Sequence, residues 1–132
     1  LRCAYCDTVH SFEPGERRTI EEVVSQARDA GTALIEITGG EPLMQEGFEE
    51  LARRLCAIAE DRPVLVETNG SCDISAVPPE AVTVMDVKCP GSGECRAFDG
   101  KNLDRLRGRD ESSSKRMPWE RSTCSRPPPN AE

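Results

Sequence analysis

An α/β fold of parallel strands with flanking helices is what this sequence predicts, and three observations carry it. Short β-branched runs alternate with segments of helical period, the links between them are short, and polar, glycine-containing clusters stand where the apolar strands end. Parallel strands flanked by helices place their sites at the carboxyl ends of the strands. Those clusters are Thr38-Gly39-Gly40-Glu41-Pro42, Glu67-Thr68-Asn69-Gly70 and Asp86-Val87-Lys88-Cys89-Pro90-Gly91-Ser92-Gly93-Glu94.

The elements follow in order. A polar connection from Thr8 through His10 and the turn at Glu13-Pro14-Gly15 leads to a first helix. Thr19 caps it with Glu22 three residues on, and Ile20, Val23, Val24, Ala27 and Ala30 share one face before Gly31 stops it. Residues 33–37 are a short buried strand, and a second helix follows, with Phe48, Leu51, Ala52, Leu55, Cys56 and Ala59 at helical spacing. Residues 63–67 and 81–87 are two further strands, the second reached through Pro78-Pro79. Asn102 opens a weak helical pattern that Gly108 interrupts and that ends by Glu111. From Ser112 the composition turns to Ser, Arg and Pro without a usable period, so residues 1–111 are expected to form the core and residues 112–132 a disordered tail. Three strands with two helices would leave both sheet edges unpaired.

Composition sets limits on function. A formal charge of −7 argues against non-specific binding to nucleic acid or to an anionic membrane surface. The sequence holds neither a run of eighteen apolar residues nor a basic-then-apolar leader, and a cytoplasmic protein is expected. Seven cysteines at irregular spacing favour metal ligands and free thiols over a disulfide framework.

The chemistry concentrates at Cys3-Ala4-Tyr5-Cys6-Asp7-Thr8. A Cys-x-x-Cys pair lets both sulfurs point at one centre, which suits zinc, thiol–disulfide exchange or two legs of an iron–sulfur cluster; alone it does not choose. Glycines at 39 and 40 let backbone approach a ligand, and Glu41 offers a carboxylate to a ligand ammonium. Glu36, Glu67 and Asp86 lie near strand ends, where core packing does not place acids; solvated rim acids are the bland alternative. His10, the only histidine, reads as an exposed loop residue because no partner stands at fixed spacing from it.

Taken together, these residues resemble the radical S-adenosylmethionine enzymes, and among them the family of 7-carboxy-7-deazaguanine synthases, over residues 1–111. Residues 3–8 look like the end of that family's Cys-x3-Cys-x2-Cys-Asp-Thr loop, residues 38–42 like its cofactor strip, and residues 86–90 like its later binding segment. The resemblance implies a partial (βα) barrel of the radical S-adenosylmethionine type. It also implies a [4Fe-4S] cluster held by Cys3, Cys6 and a third thiolate two positions ahead of Leu1, so the chain reads as a truncated fragment. S-adenosylmethionine would lie on Tyr5, Cys6, Asp7, Gly40, Glu41, Asp86, Val87 and Lys88, with Thr38 facing a pterin substrate and the Thr8 hydroxyl reaching Mg²⁺.

The implied reaction is a radical rearrangement. One electron cleaves S-adenosylmethionine to methionine and a 5′-deoxyadenosyl radical, which abstracts hydrogen from 6-carboxy-5,6,7,8-tetrahydropterin; ring contraction with loss of ammonia gives 7-carboxy-7-deazaguanine. No protein nucleophile is needed. A flavodoxin- or ferredoxin-type reductant and a homodimer of the full-length protein are implied as partners. Two other readings stay open: a radical enzyme of the glycyl-radical activase type, and a non-catalytic zinc- or protein-binding remnant.

Overall fold

The computed structural model describes residues 1–4, 6, 9, 13 and 15–112. Helix α1 (Ile20–Asp29) starts where the sequence places it, because the capping box closes: the Glu22 amide donates to Thr19 Oγ1 at 3.2 Å and the Thr19 amide to Glu22 Oε2 at 2.7 Å. These bonds from Thr19 hold the Glu22 carboxyl below its ordinary value. Helix α2 (Phe48–Ile58) begins at Gly47, which needs its glycine twice over. Its φ is +82°, and a Cβ there would stand 3.1 Å from Ile20 Cδ1 of α1.

Four parallel strands form one sheet in the order β1 (Ile35–Ile37), β2 (Val64–Thr68), β3 (Val82–Met85) and β4 (Glu111–Ser112). Register gives the sheet two unlike faces. Ile35, Val64 and Val66 point toward the helices and join Val24, Phe48, Ala52, Leu55 and Ala59 in the core. No α-helix links β2 to β3; a 3₁₀ turn at Ile74–Ala76 serves instead, and Ile74, Val77 and Ala81 complete the same core. Burying each Val, Ile, Leu or Phe side chain contributes about 1.5–3 kcal/mol, so this face holds the fold together. The other face carries Glu36, Leu65 and Val82 in one row and Glu67, Val84 and Glu111 in the next.

Several boundaries differ from the expectations. The first strand begins at Ile35 rather than residue 33: the Thr32 hydroxyl donates to the Leu34 carbonyl at 2.7 Å, and the Ile35 amide makes the first bond across to Pro63 O, at 3.0 Å. The third strand ends at Met85, so Asp86 lies just beyond it, its amide still donating to Thr68 O at 2.9 Å. The pattern from Asn102 yields only the short helix α3 (Asn102–Arg105), because Arg107 is drawn to the Pro78 and Ala81 carbonyls and to Asp110.

The three strands expected, with both sheet edges unpaired, gain a fourth: β4 pairs with β3, and Ser112 is a buried strand residue opposite Met85. Asp110 makes that fourth strand possible. Buried at 2 % exposure, it accepts from the Thr83 amide at 2.9 Å and from Arg107 Nε at 2.9 Å. Burial pushes its carboxyl up, but the bonds from Arg107 and from the Thr83 and Arg107 amides outweigh burial and hold it below its ordinary value. The tail expected over residues 113–132 lies outside the described residues.

Candidate active site

The loops that leave β1, β2 and β3 meet at the carboxyl edge of the sheet, the edge where parallel α/β folds carry their sites. Each loop is fixed by side chains from its neighbours. The Thr38 hydroxyl donates to Glu67 Oε2 at 2.9 Å, joining the exit of β1 to the open face of β2. Three residues on, Glu41 is 6 % exposed and accepts three bonds: from Thr68 Oγ1 at 2.8 Å, from the Asn69 amide at 2.9 Å and from the Leu43 amide at 3.2 Å. The last of these caps the 3₁₀ turn at Pro42–Met44. Both carboxylate oxygens that the sequence assigns to a ligand ammonium thus face protein donors.

Between these two anchors lie Gly39 and Gly40. Gly39 has φ +138°, a conformation that favours glycine, and the space where a Cβ would stand is open. Below the β2 exit, Gly70 has φ +71°, and a Cβ on it would meet Phe98 at 2.7 Å. This glycine serves packing. On the far side, Asp86 forms an ion pair with Lys88, whose side chain is mostly buried, and Val87 is half-buried beside it.

Cys3 and Cys6 share one turn, closed by the Cys6 amide donating to Cys3 O at 3.1 Å, and both are free, half-buried thiols. That turn is seated on the loop after β3. The Ala4 amide donates to Ser92 O at 3.0 Å, and the Arg2 amide to Glu94 Oε1 at 2.7 Å. Ser92, 1 % exposed, locks its own turn by donating to Cys89 O at 2.6 Å and accepting from the Glu94 amide at 3.1 Å.

A pair of thiols is donor chemistry that suits an iron–sulfur cluster or zinc. Among the described residues no group of three or more His, Cys, Asp or Glu side chains converges on a metal position. Tyr5, Asp7, Thr8 and His10 lie outside the described residues. Cys56 sits apart on α2, where burial first and the Glu80 charge second push its thiol up, which disfavours the thiolate.

The structure therefore ties Thr38, Glu41 and Asp86 to β2 through hydrogen bonds, with Gly40 between the first two, and sets Cys3 and Cys6 against the loop after β3. Sequence reading assigned no role to Thr68, Asn69, Ser92 or Glu94, the residues that make these attachments. Their signal was position alone: each lies within a polar cluster that follows a strand.

A parallel sheet with a Cys-x-x-Cys turn and a Gly-Gly-Glu loop at its carboxyl edge defines a class, and a family model confirms it. The chain belongs to the Radical SAM superfamily, whose model matches residues 1–85. It is 43 % identical over 113 residues to the 7-carboxy-7-deazaguanine synthase of Koribacter versatilis, covering 84 % of this chain and 49 % of that protein. It is 43 % identical over 104 residues to the synthase of Methanospirillum hungatei, covering 78 % and 42 % respectively. A GTP 3',8-cyclase of Pelotomaculum thermopropionicum is 41 % identical over 76 residues, covering 53 % and 23 %. The chain spans about half the length, or less, of these curated relatives. No solved structure matches it. Among the described residues no helix is long and apolar enough to cross a membrane.

Proposed function

We propose that this chain supplies the cofactor-binding part of a 7-carboxy-7-deazaguanine synthase, which converts 6-carboxy-5,6,7,8-tetrahydropterin to 7-carboxy-7-deazaguanine with loss of ammonia. The observation that carries the proposal is the joining of the loops after β1 and β2 at two points, Thr38 to Glu67 and Glu41 to Thr68 and Asn69. The relatives of that name, matched over as much as 84 % of this chain, support the choice within the superfamily.

In this reading Cys3 and Cys6 hold two irons of a [4Fe-4S] cluster, and the turn at residues 90–94 keeps their loop at the sheet edge. When bound, the cluster supplies the electron that cleaves S-adenosylmethionine. The backbone at Gly40 and the segment Asp86, Val87 and Lys88 orient that nucleotide, with Tyr5, Asp7 and the Glu41 loop completing its seat. Thr38, its hydroxyl already committed to Glu67, presents a fixed edge to the pterin. Thr8 is assigned to Mg²⁺, which takes oxygen ligands and keeps several waters, so one hydroxyl with substrate oxygens is sufficient. A flavodoxin- or ferredoxin-type protein is the reductant, and the full-length protein is a cytoplasmic homodimer.

The test is turnover. After anaerobic treatment with iron and sulfide, the full-length protein that contains this chain is given S-adenosylmethionine, a reductant, Mg²⁺ and the carboxypterin, and the products are read by mass spectrometry. The proposal expects 7-carboxy-7-deazaguanine and 5′-deoxyadenosine. A colourless protein that takes up zinc through Cys3 and Cys6 and yields neither product would establish the zinc-binding alternative instead.

A further inference from the structure

We propose that Glu41 is a positioning residue: its buried carboxylate ties the loop after β1 to the end of β2, and so fixes the backbone at residues 38–40 against which S-adenosylmethionine binds, without touching that ligand. The inference rests on the functional reading above.

The bonding pattern calls for an acid. Two of the three donors facing Glu41 are backbone amides, Asn69 and Leu43, which can only donate. The third, the Thr68 hydroxyl, itself accepts from the Gly70 amide at 3.1 Å, so a chain of donors runs from Gly70 through Thr68 to Glu41. An ionised carboxylate offers acceptors on both oxygens, whereas a glutamine amide offers one oxygen and an NH₂ group. Whichever way that amide turned, its NH₂ would face a backbone N–H, Asn69 in one orientation and Leu43 in the other. Charge-assisted bonds to a carboxylate are also stronger than neutral ones.

The consequence falls on the glycines. Thr38 is anchored to Glu67 on one side of them and Glu41 to Thr68 and Asn69 on the other, while the space beside Gly39 stays open. A loop held at both ends and bare in the middle presents its backbone groups in one arrangement, and pre-organisation of that kind reduces the cost of ordering a site on binding.

Two variants and two readouts test this. Glu41→Gln keeps shape and removes the second acceptor; Thr68→Val keeps the carboxylate and removes one donor. Amide hydrogen exchange is followed at Leu43 and Asn69, and S-adenosylmethionine affinity is measured by equilibrium dialysis on the protein after anaerobic treatment with iron and sulfide. For Glu41→Gln we expect exchange at both amides, and the Kd for S-adenosylmethionine, each to rise about tenfold. For Thr68→Val we expect a rise of about threefold in each. If Glu41→Gln does not fold, Thr68→Val decides alone. Weakened affinity with unchanged exchange would mean that the carboxylate meets the ligand directly, and faster exchange with unchanged affinity would mean a role in folding only; either overturns the proposal. Wild-type protein that binds no S-adenosylmethionine defeats the functional reading, and the ligand half of this proposal with it, while exchange still reports whether the tie exists.

Discussion

The two faces of the sheet are built from the same strands and do opposite work. Toward the helices, Ile35, Val64 and Val66 are buried among apolar neighbours, and the bonds that matter are those of packing. Toward the other side, Glu36, Glu67 and Glu111 are exposed carboxylates with Leu65, Val82 and Val84 between them. A strand with a side-chain period of two can carry both programmes at once. Substitutions on the first face should therefore cost stability, and those on the second should cost binding.

The largest stability effect belongs to the covered face. Val66→Ala, at a fully buried position, should lower unfolding free energy by about 2–3 kcal/mol in urea titration, without a comparable loss of ligand affinity in the molecules that stay folded. Gly70→Ala comes next. The new methyl meets Phe98 in a backbone conformation that side chains rarely adopt, and about 2 kcal/mol of destabilisation should appear in the same titration.

Asp110→Asn tests the edge that β4 completes. Loss of the charged acceptor for Arg107 and the Thr83 amide should cost about 1.5–2 kcal/mol at neutral pH. Because the folded state holds the Asp110 carboxyl below its ordinary value, its contribution is present above the unfolded value and is lost as pH falls through the folded one. Acid titration of stability should therefore fall less steeply in Asp110→Asn than in the wild type. Smallest in stability and largest in function is Glu67→Ala on the open face. Thermal unfolding should move by no more than about 0.5 kcal/mol, while carboxypterin turnover drops at least about tenfold as Thr38 loses its anchor.

Much of the covered face is legible in the sequence, because periodicity is a statement about burial. The capping box at Thr19 and Glu22, the helical spacing from Phe48 to Ala59 and the β-branched runs each name their own solvent-hidden side. What escaped was either too short to show a period or depended on register. The strand Glu111–Ser112 has two residues, and its only local sign is an aspartate buried one position earlier. The tie from Glu41 to Thr68 and Asn69 spans 27 and 28 positions, and nothing local says that these loops are neighbours until β1 is paired with β2. Glycine at 39 and 40 could be read as room for a ligand; the acid beside it could be read only as a charge, and it proves to be bonded into the protein.

If Cys3 and Cys6 are ligands of an iron–sulfur cluster at the carboxyl edge of the sheet, the cluster needs both. Iron and acid-labile sulfide content, measured after anaerobic reconstitution of the wild type and of Cys3→Ala, Cys6→Ala and Cys56→Ala, tests this most directly. A brown protein is expected, its iron and sulfide lost with either of the first two substitutions and kept with the third. Iron retained without Cys3 and Cys6, or lost only with Cys56, would contradict that assignment.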